Sequence, residues 1–386
     1  MLCKEYNDGG LPMKRLFALL VLTALFIPTA AAAPEVDVPC ALLMEKETGT
    51  VLYERSSHER RPPASVTKIM TMLLIMEALD SGRMSKTDMV SVSAHAASMG
   101  GSQVFLEEGE QMSVHELLKC IAVASANDAA VAMAEHLAGS ESGFVDKMNQ
   151  RAAQLGMEDT HFSNCTGLPV DDHYTSAHDI ALMSRQLMLA HPDIREYTTI
   201  WMDTIRDGAF GLSNTNRLIR FYSGATGLKT GYTDTALYCL SATAQREDME
   251  LIAVVMGAPS SDNRFQAAKT MLDYGFATHT LTTVHPDQAL PPVEVLLGQT
   301  KQVQPRLARS CRLLLPRDSV GQVSTQIVLA QDVQAPVEQG QRLGEMIVLK
   351  DGQELDRVPI IADTPVPKLT WWGVFRQLYR RMLTTP

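Results

Sequence analysis

The order of strand-like and helix-like patterns between residues 40 and 274 constrains the fold of this chain most. Apolar runs at 40–44 and 51–53 flank a polar stretch with Gly49 at its turn, which predicts a β-hairpin. Helical spacing of apolar residues follows from about Ser65, and strand-like runs return at 236–244 and 251–256. Strands grouped before and after a helical middle predict an α+β domain.

Helices are predicted where apolar residues recur every three or four positions. The expected segments are 65–79, 113–121, 128–137, 144–155, 177–189 and 265–274. Ser113 and Glu116 have the spacing of a capping box, which places a helix start at Ser113.

The composition changes near residue 280, where short apolar bursts separated by Pro, Gly and Gln replace the longer helical patterns. The bursts are 293–297, 311–315, 325–329 and 346–349. Short strands at this spacing are typical of a small β-sandwich. We therefore expect a first domain over 34–280 and an all-β sandwich domain over 281–363.

The N-terminal segment has the layout of a secretory signal peptide. Lys14 and Arg15 precede an apolar run at 16–27, and small residues follow up to Ala33. The run is too short to span a bilayer comfortably. We expect residues 1–33 to be a signal peptide and the chain to be exported. Translation starts at Met1 or at Met13, and we favour Met13 because the segment before it is polar.

The C-terminal segment, 364–386, predicts an amphipathic helix. Trp371, Phe375, Leu378 and Met382 share one helical face, joined by Trp372 and Tyr379. Arginines 376, 380 and 381 lie towards the other side. Aromatic and basic faces together indicate a helix lying on a membrane surface through residues 369–383, and the alternative is a helix packed on the β domain.

Charge and cysteine content exclude several classes of protein. The net charge of −10 argues against general nucleic-acid binding, which needs a basic surface. The six cysteines are scattered and form no C-x-x-C pair, so a zinc ribbon is excluded. We interpret them as small buried apolar residues and expect no metal and no cofactor.

Three short motifs carry candidate chemistry, and they follow one another in the order S-x-x-K, S-x-N and K-T-G. They lie at 65–68, 125–127 and 229–231. Ser65 and Lys68 are three residues apart, so they share a helical face at a predicted helix start. A serine hydroxyl needs an adjacent base, and Lys68 can be that base only if it is neutral. Burial and a second cation nearby would depress the pKa of Lys68, and Lys229 is the candidate for that cation.

The other motif residues fit a peptide substrate with a free carboxyl terminus. Ser125 would relay a proton from Lys68 to the leaving amine, and Asn127 would orient a substrate amide. Lys229 and Thr230 offer a cation and a hydroxyl to the terminal carboxylate. Gly231 would let the substrate backbone approach closely.

The three motifs in this order are the signature of penicillin-binding proteins and serine β-lactamases. Over nearly the whole mature chain, the sequence resembles the low-molecular-mass class C penicillin-binding proteins, the serine D-alanyl-D-alanine carboxypeptidases of the S11 type. The resemblance is carried by PASVTKIM at 63–70, ASANDAA at 124–130, HYTSAHD at 173–179 and GLKTGYT at 227–233. The β domain and the amphipathic tail are also similar to that family.

This resemblance implies a penicillin-binding, transpeptidase-like domain at the outer face of the cytoplasmic membrane. The expected substrate is a peptidoglycan pentapeptide ending in D-Ala-D-Ala, and β-lactam antibiotics are the expected covalent inhibitors. The family also implies an oxyanion hole made by the N–H groups of Ser65 and Tyr232. Some relatives have histidine in place of Tyr232, which leaves that N–H unchanged.

Three alternatives remain open beside the carboxypeptidase. A DD-endopeptidase would use the same chemistry. A class A β-lactamase would need a deacylating glutamate, and Glu141 and Glu158 lack the expected E-x-x-L-N setting. A degenerate wall-binding module would have no need of intact Ser65 and Lys68.

A metal peptidase is disfavoured. His115 and Glu116 do not continue as H-E-x-x-H, because the fifth position is Lys119. For His173 and His178, with their neighbouring aspartates, we favour capping of the helix at Ala177 by Asp or His over a zinc site.

Overall fold

The computed structural model describes residues 33–384. The predicted signal peptide therefore lies outside the described residues, apart from Ala33. The helices are α1 Lys68–Asp80, α2 Ala94–Ala97, α3 Val114–Lys119, α4 Asn127–Ala138, α5 Glu141–Gln154, α6 Ala177–Ala190, α7 Arg195–Thr198, α8 Leu218–Phe221, α9 Ser261–Thr278 and α10 Trp371–Thr384.

The first half of the strands builds one main sheet and two two-stranded sheets. The strands are β1 Cys40–Glu45, β2 Val51–Arg55, β3 Met89–Ser91, β4 Gln111–Ser113, β5 Met202–Ile205, β6 Phe210–Ser213, β7 Ala225–Thr233, β8 Leu237–Arg246 and β9 Met249–Ala258. The two-stranded sheets are β3-β4 and β5-β6. The five-stranded sheet has the order β2-β1-β9-β8-β7, and all its pairs are antiparallel. Strand β7 is therefore at one edge.

This sheet is covered on both faces, which explains the unbroken apolar runs in its strands. Along β1, Leu42 and Met44 join the core shared with α1, α4 and α6, while Ala41 and Leu43 join the core shared with α9. Successive side chains of a strand point to opposite faces, so one strand serves two cores. The result is a layer of helices, a sheet and a further helix.

Helix starts follow the sequence signals closely, with one correction. Ser113 accepts a hydrogen bond from the Glu116 N–H at 3.2 Å, as the capping box predicts. Helix α6 is capped by Ser176, which accepts from the Asp179 N–H at 3.2 Å. The prediction that Asp or His caps this helix is wrong, because the carboxylate of Asp179 instead accepts from the Asp159 N–H.

The C-terminal part of the chain is built from short strands. They are β10 His279–Val284, β11 Val293–Leu296, β12 Gln302–Val303, β13 Pro305–Leu307, β14 Cys311–Pro316, β15 Val323–Leu329, β16 Val333–Gln334, β17 Arg342–Lys350 and β18 Gln353–Ala362. They form sheets β10-β14, β12-β11-β16 and β13-β18-β17-β15 around two small apolar cores. The four predicted bursts are all strands.

Helix α10 ends the described chain and exposes large apolar side chains. Trp371 is 91% exposed, and Phe375 and Met382 are also exposed. Within residues 33–384 no helix combines the length and apolar character needed to cross a membrane. The five cysteines of the described residues are buried and free, as predicted.

Candidate active site

The three motifs come from different parts of the fold and meet beside strand β7. Ser65 lies in a 3₁₀ turn, Ala64–Thr67, and Lys68 is the first residue of α1. The second motif joins the π-helical turn Cys120–Ala124 to the start of α4. The third motif lies within β7. Distant segments thus deliver their polar side chains to one place.

The side chain of Lys68 is the centre of this cluster. It is fully buried, and its Nζ donates to Asn127 Oδ1 at 2.6 Å and to the Thr166 carbonyl at 2.7 Å. Its third partner is Ser65 Oγ at 3.1 Å. The predicted nucleophile and base are therefore within hydrogen-bond reach of each other.

Burial governs the charge of both lysines of the cluster. Removal from water lowers the pKa of Lys68 to about 7, against smaller raising effects of Cys165 and Asp128. The pKa of Lys229 is also lowered well below its usual value, first by burial and then by the positive charges of Lys68 and Arg264. Near neutral pH a substantial fraction of Lys68 is the free amine.

The S-x-N segment reaches Lys68 through Asn127. The Asn127 amide also donates from Nδ2 to the Gly100 carbonyl at 2.7 Å, so both of its ends hold protein groups. One N–H and one oxygen lone pair remain for a substrate. Ser125 is buried with a left-handed φ of 63°, and it is not among the three partners of Lys68.

The K-T-G segment forms the opposite wall. Lys229 Nζ donates to the Thr230 carbonyl at 3.0 Å, and Thr230 Oγ1 donates to Thr215 Oγ1 at 2.6 Å. At Gly231 a Cβ atom would lie 3.0 Å from the Ser65 nitrogen and 2.9 Å from the Pro63 carbonyl oxygen. The close approach that requires glycine is thus already made by the turn that carries Ser65.

Tyr232 turns its side chain away from this wall. Its ring packs on Tyr238 with centroids 4.4 Å apart, and its hydroxyl donates to Asp234 at 2.9 Å. The ring is about half exposed. Only the backbone of Tyr232 lies along the wall that the K-T-G segment forms in β7.

A groove of about 290 Å³ adjoins the turn that carries Ser65. Its wall includes Pro63, Ala64, Leu168, Val170, Asp171 and Thr233. The groove is mostly apolar.

Comparison with known proteins identifies the family. Residues 27–260 match the D-alanyl-D-alanine carboxypeptidase family, and residues 279–368 match the C-terminal domain of penicillin-binding protein 5. The sequence is 43% identical to the D-alanyl-D-alanine carboxypeptidase DacF of Bacillus subtilis, over 92% of this chain and 95% of that one. The chain belongs to the D-alanyl-D-alanine carboxypeptidase family. This family consists of serine-type hydrolases that act on peptidoglycan, as the motifs predict.

Other similar proteins support the same family and the same fold. Identity to DacC of Escherichia coli is 33%, over 90% of each chain. The crystal structure of penicillin-binding protein 5 from Haemophilus influenzae has a TM-score of 0.75 at 28% identity, covering 87% of this chain and 99% of that one. Penicillin-binding protein D2 of Listeria monocytogenes in its ampicillin-bound form gives 0.59 at 31% identity, covering 64% and 100%. The predicted fold, a transpeptidase-like domain followed by an all-β domain, is confirmed.

The two glutamates weighed for a β-lactamase lie outside the contacts of Ser65 and Lys68 in this carboxypeptidase fold. Glu141 is occupied by His95 at 3.0 Å and by the Cys165 N–H at 3.2 Å. Glu158 is exposed. The structure therefore gives neither one a deacylating position.

Several site residues have no signal in the sequence motifs. The carbonyl of Thr166 holds Lys68, although a backbone group can belong to any residue type. Arg264 in α9 is buried and donates from Nη1 to the Gly231 carbonyl at 3.0 Å. Asp128 follows the second motif directly and accepts from the N–H groups of Val104 and Leu106. The burial of Asp128 is a property of the fold, and no sequence pattern assigns it a role.

Proposed function

We propose that this chain removes the terminal D-alanine from peptidoglycan stem peptides that end in D-Ala-D-Ala, through an acyl-enzyme on Ser65. The observation that carries the proposal is the contact of 3.1 Å between Ser65 Oγ and the buried amine of Lys68. A nucleophile and a base in contact, inside a family of carboxypeptidases, favour acyl transfer.

The neutral form of Lys68 suits the role of base. A neutral amine has two N–H donors and one lone pair. Asn127 Oδ1 and the Thr166 carbonyl take the two donors, which leaves the lone pair for the Ser65 hydroxyl proton. The same partners hold the amine in place through the reaction, so little reorganisation is needed.

The reaction then follows with balanced protons. Ser65 Oγ attacks the carbonyl carbon of the penultimate D-alanine while Lys68 accepts its proton. The peptide bond breaks, and the proton passes by way of Ser125 to the amine of the leaving D-alanine. Water then splits the Ser65 ester, giving the shortened stem peptide and restoring the hydroxyl. A β-lactam would acylate Ser65 in the same way.

Substrate binding is assigned to the wall opposite Lys68. Lys229 and Thr230 would hold the terminal carboxylate, and Asn127 would contact the amide next to the bond that breaks. The N–H groups of Ser65 and Tyr232 would bind the oxyanion. The tight packing of Gly231 on the Ser65 turn supports this pairing, because it brings the two backbone segments together.

Intact-mass measurement after incubation with benzylpenicillin tests the proposal. One penicilloyl group on Ser65, absent in Ser65→Ala, is the expected result, together with release of D-alanine from a D-Ala-D-Ala peptide. Ser163→Ala is a matched control, since its hydroxyl is in a neighbouring loop and donates to the Asp172 carbonyl. No adduct with rapid loss of the drug would indicate a β-lactamase instead. Neither adduct nor loss would indicate a degenerate module.

For location, we propose export through residues 1–33 and attachment of α10 to the outer face of the cytoplasmic membrane. The exposed aromatic side chains of α10 support a helix that lies in the bilayer interface. N-terminal sequencing of the chain from cells should begin at Pro34. A first residue upstream of Ala33 would argue against processing there.

Vesicle flotation tests the attachment. Trp371→Ser with Phe375→Ser should release the full chain from anionic vesicles. Phe221→Ser is the control, because Phe221 and Phe375 are both 62% exposed and only Phe375 is in α10. Equal release by both variants would refute a specific role of α10.

A further inference from the structure

A buried chain of hydrogen bonds leads from His173 to the turn that carries the nucleophile. The Ser163 N–H donates to His173 Nδ1 at 3.0 Å. His173 Nε2 lies 2.8 Å from Thr67 Oγ1, and the Thr67 hydroxyl donates to the Ala64 carbonyl at 2.9 Å. His173 and Thr67 are both buried.

The direction of every bond in this chain is determined. A backbone N–H only donates, so Nδ1 of His173 carries the lone pair and the ring proton is on Nε2. Nε2–H therefore donates to Thr67, whose own proton goes to Ala64. Burial lowers the pKa of His173 to about 4, with His161 adding a smaller effect, so the ring is neutral at physiological pH.

This series of hydrogen bonds ends on the peptide unit that joins Ala64 to Ser65. Its carbonyl belongs to Ala64 and its N–H to Ser65, and the two are held in one plane. Ala64 has a φ of 49°, a left-handed conformation that is unfavourable for alanine. On the other side of the same carbonyl is Gly167, where a Cβ atom would lie 1.8 Å from the Ala64 oxygen. Fixing this carbonyl fixes the direction of the Ser65 N–H.

We propose that His173 is a positioning residue for the acyl transfer, acting through Thr67 to aim the Ser65 N–H at the oxyanion. The operative bond is the donation from Nε2 to Thr67, and the bond from Ser163 only sets the tautomer. This role rests on the proposed function, since it concerns the oxyanion hole of that reaction. It gives the HYTSAHD stretch a part in the chemistry in addition to its helix start.

Two substitutions at His173 separate the two bonds. The amide of His173→Gln reaches about as far as Nε2 and retains a donor for Thr67. The shorter His173→Asn retains an acceptor for the Ser163 N–H but does not reach Thr67. In the full chain, we expect His173→Gln to acylate with benzylpenicillin within a few-fold of the parent rate. We expect His173→Asn to be slower by about 10- to 100-fold, since one oxyanion donor is misdirected.

A second pair keeps the test decisive if the His173 variants do not fold. Thr67→Val keeps the shape and removes the hydroxyl, whereas Thr67→Ser keeps the hydroxyl. The valine variant should lose acylation rate and kcat with little change in KM, and the serine variant should retain both. Melting temperatures are measured in parallel, because a purely structural role would lower stability without this split.

The outcomes distinguish this proposal from the one it rests on. If the parent chain is acylated and His173→Asn or Thr67→Val reacts equally fast, positioning by His173 is refuted while the carboxypeptidase assignment stands. If His173→Asn outperforms His173→Gln, the loop contact with Ser163 is the important bond and the proposal is also refuted. If the parent chain is never acylated at Ser65, the proposed function itself fails.

Discussion

The rate of acylation should follow the titration of Lys68. With a pKa of about 7, the neutral fraction of this lysine is about 1% at pH 5, about one-half at pH 7 and about nine-tenths at pH 8. Only the neutral amine can accept the Ser65 proton. The second-order rate constant with benzylpenicillin should therefore rise about tenfold per pH unit below 7 and level off above pH 8. A lysine at its usual pKa of 10.5 would still be gaining rate at pH 10.

Stopped-flow acylation between pH 5 and 9 measures this profile. Lys68→Arg, which remains cationic, should be inactive across the whole range and serves as the control. A flat profile for the parent chain between pH 6 and 8 would refute the assignment of Lys68 as base. So would an inflection near pH 10, because it would mean that burial does not lower the pKa of this amine.

The same burial predicts a pH dependence of stability. The pKa of Lys68 is lower in the folded chain than in the unfolded chain, so between pH 7 and 10.5 the unfolded state binds more protons. The free energy of unfolding should therefore rise with pH in that window, relative to Lys68→Met, by up to about 1.4 kcal/mol per unit and about 5 kcal/mol in all. The prediction is wrong if urea titrations give the parent chain and Lys68→Met the same dependence of the free energy of unfolding on pH.

Three further predictions concern packing. Gly231→Ala should slow acylation by about 10- to 100-fold, because its Cβ would push β7 away from the Ser65 turn, and an unchanged rate would mean that the contact is loose. Asp128→Asn should lower the free energy of unfolding in urea by about 1–3 kcal/mol, because an amide nitrogen in place of one carboxylate oxygen leaves either the N–H groups of Val104 and Leu106 or that of Ala129 without an acceptor, and a smaller change would show that water replaces the lost bond. With Cys3 replaced by serine, the folded chain should react slowly with a thiol reagent at pH 8, because the remaining five cysteines are buried. All five thiols should react only after the chain is unfolded, and fast reaction of the folded chain would contradict this.

Periodic burial made much of this fold predictable from sequence. Helix α6 was expected over 177–189 and spans Ala177–Ala190, because its apolar residues face one core. Helix α1 begins three residues later than expected, at Lys68, since Ser65 belongs to a 3₁₀ turn. Strand β18 had no clear signal, because polar residues and Pro359 interrupt its apolar run.

The site was predictable where side-chain chemistry defines it, and only there. The contact between Lys68 and Ser65 follows from their spacing of three residues, and the burial of Lys68 follows from the apolar residues around it. The Thr166 carbonyl and the tight space at Gly167 depend on how distant segments pack, so no local pattern indicates them. The pattern around His173 predicts a helix cap, and its contact with Thr67 has no local signal because the two residues are 106 positions apart.

Strand β7 is the last strand of its sheet, and within residues 33–384 no further strand pairs with one side of its backbone. An extended peptide that docks at such an edge is recognised mainly through main-chain N–H and C=O groups, which every residue possesses. The identity of the stem-peptide side chains then contributes little to alignment along β7. If the stem peptide docks at this edge, as the proposed function requires, changes in its side chains should alter binding less than a change at its carboxyl terminus.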